Sequence, residues 1–211
     1  MMKHRLPESL ANLPRWLVTE PCGDGDTVMS RPYSPVTLSP LRHNHPGDYS
    51  NLAYAVESWA SHSHWFDGIA FRMGTPWLVV IIQHAVTPAG HVTKAARDVA
   101  KQLGGCWEFA RNDEDVQAIL WSSQAVTYQV GLFAGHAVHV CGNGICPVTL
   151  RPVPGCGGDP LATNQEALRL VLAEIALTPA MGFMATPAGT NSAHHNRQRG
   201  GTGEQLDLFQ K

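Results

Sequence analysis

The stretch Gly68-Ile69-Ala70-Phe71-Arg72-Met73-Gly74-Thr75-Pro76-Trp77-Leu78-Val79-Val80-Ile81-Ile82-Gln83-His84 decides the fold. Gly68–Phe71 and the apolar run Trp77–Ile82 have strand length and a strand-like β-branched or aromatic content, and Met73-Gly74-Thr75-Pro76 between them has turn composition. The spacing predicts a β-hairpin. Trp77–Ile82 is also the longest apolar run, far short of the ~20 residues that cross a bilayer, so no membrane partner is expected.

Helical periodicity flanks this pair of strands. Upstream, Leu52, Ala55, Val56 and Trp59 recur at helical spacing behind Asp48, a good N-cap. Downstream, Val92, Ala95, Ala96, Val99 and Leu103 share a face, with Gly104 as the stop. Trp107–Phe109, Val116–Trp121, Ala125–Val130 and Ala137–Cys141 read as further strands. A last helix runs from Leu161 or Thr163 to Leu177, with Thr163 and Glu166 spaced as a capping box and Leu168, Val171, Leu172 and Ile175 as its stripe. Residues 8–21 carry an apolar face interrupted by Pro14, and 22–47 are rich in Pro and Gly, an ordered but irregular arm. This order predicts an α+β domain over 1–179, an antiparallel sheet with helices on one face. Beyond Pro179 periodicity is lost: 180–204 has the composition of a flexible linker.

Composition narrows the function classes. The 211 residues hold 15 Lys+Arg against 17 Asp+Glu, a formal net charge of -2, which excludes a polycation that coats nucleic acid or anionic membrane by charge alone. The first residues, Met1 to Pro7, are not followed by an apolar core, and Cys22, Cys106, Cys141, Cys146 and Cys156 are odd in number without framework spacing. Reduced thiols in a cytoplasmic protein are the expectation.

Several pieces resemble, in order and spacing, the N-terminal domain of bifunctional DNA primase/polymerases, the archaeo-eukaryotic-type primases of many phages and plasmids. They are Leu13-Pro14-Arg15-Trp16-Leu17-Val18, Arg31-Pro32-Tyr33-Ser34-Pro35, His45-Pro46-Gly47-Asp48-Tyr49 and Phe66-Asp67-Gly68-Ile69-Ala70-Phe71. The resemblance covers roughly residues 8–142. It implies an RRM-like primase/polymerase domain and two-metal nucleotidyl transfer, in which paired carboxylates hold divalent ions.

The residues that would carry that chemistry are replaced. Where the family has hydrophobic-Asp-hydrophobic-Asp-His, this chain reads Val80-Ile81-Ile82-Gln83-His84, so Ile81 and Gln83 take the acid positions and only His84 matches. A shift by one residue offers Ile82 and His84, again without a carboxylate. In the family's phosphate-approaching stretch, Glu108 corresponds, but the serines, the glycines and the histidine, at Gln117, do not. Asp113, Glu114 and Asp115 now stand where a triphosphate would rest, and like charges at ~4 Å cost about 1 kcal/mol even in water. In the third motif Val130 replaces the acid and His136 the arginine. The resemblance therefore implies a relative without catalysis and without a cofactor. A relocated metal site at Asp113, Glu114 and Asp115 would be needed to restore activity; an acidic solvent-facing turn is the plainer reading. His139 and Cys141 share a strand face and form a second candidate metal pair, although the His/Cys spacings from His136 to Cys156 match no standard zinc module. Trp65 is the tryptophan expected to be exposed, where it could stack a base.

The last signal is Gln205-Leu206-Asp207-Leu208-Phe209. It resembles the pentapeptide by which bacterial replication and repair proteins dock on the β sliding clamp. The physics suits that role: Leu208 and Phe209 fill an apolar pocket, Leu206 packs beside them, and the Gln205 amide pairs at the rim. A linker of about 20 residues spans about 25 Å, enough to let the domain range around its anchor. Together the pieces predict a cytoplasmic accessory replication protein of a phage, plasmid or other mobile element, at the replication fork. Its expected partners are the clamp and single-stranded or primer-template DNA. The alternative is an inhibitor that occupies the clamp pocket.

Overall fold

The computed structural model describes residues 6–22, 29–41 and 45–179. The linker 180–204 and the peptide Gln205–Phe209 lie outside the described residues. The elements are α1 (Glu8–Ala11), β1 (Trp16–Cys22), β2 (Met29–Tyr33), α2 (Leu52–Ser61), β3 (Gly68–Arg72), β4 (Trp77–Ile82) and α3 (Lys94–Leu103). They continue with β5 (Cys106–Phe109), β6 (Val116–Trp121), β7 (Tyr128–Phe133), β8 (His136–Cys141), β9 (Ile145–Val148) and α4 (Gln165–Leu177). The class is α+β, and every strand pairing is antiparallel.

There are two sheets rather than one. β2-β1-β3-β9 form the first and β5-β6-β4-β8-β7 the second. The expected β3–β4 hairpin is absent because neither strand has an edge to spare. β3 is paired by β1 and β9, while β4 is paired by β6 and β8. The turn between them passes the chain from one sheet to the other. It is held from outside, by the Arg15 guanidinium on the carbonyls of Arg72 and Gly74 and by the Met73 amide on the Gly144 carbonyl.

The irregular arm also resolves into structure: β1 and β2 pair from Val18–Tyr33 to Cys22–Met29. Helix starts move by a few residues. Asn51, not Asp48, caps α2 by accepting from the Tyr54 amide, and Asp48 ends a short 3-10 turn instead. Thr93 caps α3, so Val92 lies before the helix. Asn164 caps α4 through the Ala167 amide. The proposed capping box is not formed: the Thr163 hydroxyl donates to the Pro160 carbonyl, and Glu166 binds Arg169. The strand expected from Ala125 begins at Tyr128.

One apolar cluster runs through both sheets. Trp16, Phe71 and Trp77 meet edge to face at its centre, with ring centroids 5.1 and 6.1 Å apart. Strand alternation gives the second sheet two faces. Gly131, in register with Val138, lies against the backbone of Ile175, so α4 covers the face that carries Val138. The opposite face turns toward the first sheet, where the Gln117 amide reaches the Pro147 carbonyl of β9. α2 packs on β1 and β3.

Candidate functional site

Strand register lines up four positions drawn from three separate sequence motifs. Glu108 on β5 pairs with Gln117 on β6, Gln117 with Ile81 on β4, Ile81 with His139 on β8, and His139 with Val130 on β7. Paired residues of antiparallel strands share a face, so Glu108, Gln117, Ile81, His139 and Val130 form a single row across the sheet. Ile81, Glu108, Gln117 and Val130 are four of the seven positions that the primase resemblance marks. Gln83 follows just past the end of β4, its side-chain oxygen buried without a partner. The remaining two stand apart. His84 is exposed at positive φ beside Glu114, 3.5 Å away, and His136 bonds the Thr93 hydroxyl and the Gln83 carbonyl.

Above the Gln117–Ile81 part of this row lies a cleft of about 810 Å3 between the two sheets. Trp59, Ile69, Pro147, Val148 and Leu150 supply apolar wall, and Ser30, Asp67, Arg111, Asn112, Asp113 and Arg151 supply the polar rim. Arg111, on the β5–β6 loop, crosses to the first sheet. It binds Asp67 at 2.7 Å, the Ser30 hydroxyl at 2.9 Å and the Thr19 hydroxyl at 3.0 Å. Gly68 makes room for it, since a β-carbon there would lie 2.5 Å from the guanidinium. Arg151 in turn holds Asp113 and the Ala110 carbonyl. Each arginine at the mouth is therefore matched by a carboxylate, and the rim carries little net charge.

Glu108 is the one carboxylate in the row, and its oxygens are already engaged. They accept from the Gln117 amide at 2.7 Å and from the backbone amides of Thr149 and Leu150, the segment leaving β9. Burial pushes its pKa above the ordinary carboxylate value, against those hydrogen bonds. Burial also lowers the pKa of His139, opposed by the charge of Asp115. The His139 Nδ1 meets the Tyr128 hydroxyl at 3.0 Å, while its Nε2 is buried and unpartnered.

The candidate metal ligands face different partners. Asp113 binds Arg151 and Glu114 faces His84, whereas Asp115 accepts from the His84 amide and the Asn112 side chain. Cys141 donates to the Asn143 carbonyl, away from the His139 bond to Tyr128. Among the described residues, no three His, Cys, Asp or Glu side chains converge as a metal site would require.

Chemically, the cleft can hold a flat or apolar group against Trp59 and Ile81, with polar contacts at the rim. It offers no pair of free carboxylates. Sequence reasoning passed over Asp67, Arg111, Thr149 and Arg151, which meet only because separate strands and loops converge; the nearest signal was the glycine at position 68. The site residues at Gln205, Leu206, Asp207, Leu208 and Phe209 are outside the described residues. Among the described residues, no helix is long and apolar enough to cross a membrane. No family model matches the chain, and no curated protein matches it either.

Proposed function

We propose that this chain is a non-catalytic accessory DNA replication protein of a phage, plasmid or other mobile element. It docks on the bacterial β sliding clamp through Gln205–Phe209. The observation that carries this reading is the pentapeptide Gln-Leu-Asp-Leu-Phe, all five positions in a preferred clamp-docking form, behind a segment of linker composition. The cleft supports the non-catalytic part. Its row contains a single carboxylate already engaged by three donor groups, whereas two-metal transfer needs acids free to take cations.

Co-purification with the clamp tests the reading. The full chain should be retained with low-micromolar affinity or better, which corresponds to about -8 kcal/mol. Deletion of 205–211 should abolish retention. Retention that survives the deletion sinks the proposal. The inhibitor alternative draws on the near-neutral charge, only four lysines in 211 residues. It predicts displacement of other clamp ligands with no affinity for DNA.

A further inference from the structure

α2 borders two recesses. Trp59 lines the cleft, while Tyr54, Ser58 and His62 line a separate groove of about 220 Å3, closed on its other side by the turn that carries Val36. Ser58 is only 7% exposed, yet its hydroxyl has no hydrogen-bond partner. A buried hydroxyl left unpaired is an unfavourable arrangement that a ligand with polar edges relieves.

The rim of this groove is aromatic and open to solvent. Tyr54 is 46% exposed and Trp65 57% exposed. The His62 ring, fixed by its Nδ1 contact of 2.9 Å to the Ser58 carbonyl, joins groove to rim. It stacks on Trp65 at 6.1 Å and 24°, and His64 lies against the same indole at 4.9 Å. Tyr54, His62, Trp65 and His64 thus present a run of ring surfaces beside an unpaired hydroxyl.

We propose that this shelf binds the unpaired bases of single-stranded nucleic acid, one ring entering the groove beside Ser58 and a neighbour stacking on Trp65. The ligand class rests on the replication reading above; the site shares no residue with the cleft or the clamp peptide. Bases stack on exposed aromatic side chains without regard to sequence, whereas a duplex hides its base faces. A base edge carries both donors and acceptors, either of which a serine hydroxyl serves. An aliphatic protein side chain in the groove would leave that hydroxyl unpaired. The charge here suits bases better than phosphates. Glu57 lines the groove, and among the described residues that line it there is no lysine or arginine.

The test is fluorescence anisotropy of a labelled oligothymidylate with the full chain and with Trp65→Ala, Trp65→Phe and Ser58→Ala, at several salt concentrations. Loss of one stacking base should weaken binding about tenfold or more in Trp65→Ala, with most affinity kept in Trp65→Phe. Ser58→Ala should weaken binding severalfold without lowering the unfolding midpoint of the free protein, because it deletes an unpaired group. The salt dependence should be shallow, with a log–log slope near that of one or two phosphate contacts. Clamp retention should be unchanged in all three variants. Absence of oligonucleotide binding, or a Trp65→Ala variant that binds like the parent, overturns the proposal. So does clamp retention that is lost in Trp65→Ala, which would make this surface a protein-docking face. Failure of clamp retention in the parent chain counts against the proposed function alone.

Discussion

At the scale of single residues, two glycines show how much depends on what a missing side chain leaves room for. A β-carbon on Gly131 would lie 2.2 Å from the Ile175 carbonyl and 2.6 Å from its Cα. That neighbour is helix backbone and cannot turn aside. Gly131→Ala should therefore destabilise the protein by about 3 kcal/mol, the upper range for overpacking, read from urea denaturation. On Gly68 the obstacle is the tip of Arg111, a flexible side chain. Gly68→Ala should cost only about 1 kcal/mol, because Arg111 moves off Asp67 and Thr19. Combined with Arg111→Ala its cost should largely disappear, since both changes break the same contacts. Additive costs in the double variant would show that Gly68 serves something other than the Arg111 bridge.

Among the elements, helix ends give the sharpest test. α4 is capped by Asn164, and Glu166 sits in an exposed pair with Arg169. Asn164→Ala should lower stability by about 1 kcal/mol, whereas Glu166→Gln should leave the same thermal or urea melts essentially unchanged. The reverse order would restore the capping box read from Thr163 and Glu166. The elements legible in sequence were those with a strong period or a β-branched, aromatic or apolar run: the three longer helices, β3, β4, β5, β6 and β8. The edge strands of the first sheet, β2 and β9, were hidden by proline. Pro32 lies in β2 and Pro147 in β9, and both strands are sheet edges, where the missing amide need not face a neighbour. β1 gave no alternating signal because Trp16 to Thr19 are all buried, on both faces of an inner strand. The β3–β4 hairpin failed for a related reason: local turn chemistry says where a chain bends, not which edges remain open.

For the whole molecule, Glu108 is where the two sheets are tied, since its carboxylate holds Gln117 of one sheet and the amides just beyond β9 of the other. Burial raises its pKa. The folded chain then holds this proton more tightly than the unfolded chain, so folding takes up a proton between the two values. Stability should fall as pH rises from the ordinary carboxylate value through the raised one, by at most about 1.4 kcal/mol per unit, and level off above it. Glu108→Gln should remove that slope in urea titrations across the weakly acidic range. A slope that persists in Glu108→Gln would assign it to another group. Of the candidate site, the sequence identified the individual row positions through the primase resemblance. Their convergence, and the arginine bridges at the mouth, depend on pairings between distant strands that no local pattern encodes. The shelf at Trp65 was legible only as an exposed tryptophan; the unpaired Ser58 beside it follows from the packing of α2.

The strand order β2-β1-β3-β9 has a consequence for synthesis. β9 comes after β8 in the chain yet completes the first sheet, so on the ribosome β3 emerges with its Gly68–Arg72 edge unpaired. It keeps that edge open until the entire five-stranded sheet has been translated. Open edges recruit strands from neighbouring chains. The yield of correctly folded protein in a cell thus depends on how soon Ile145–Val148 arrives, and slow translation between β4 and β9 favours aggregation over folding.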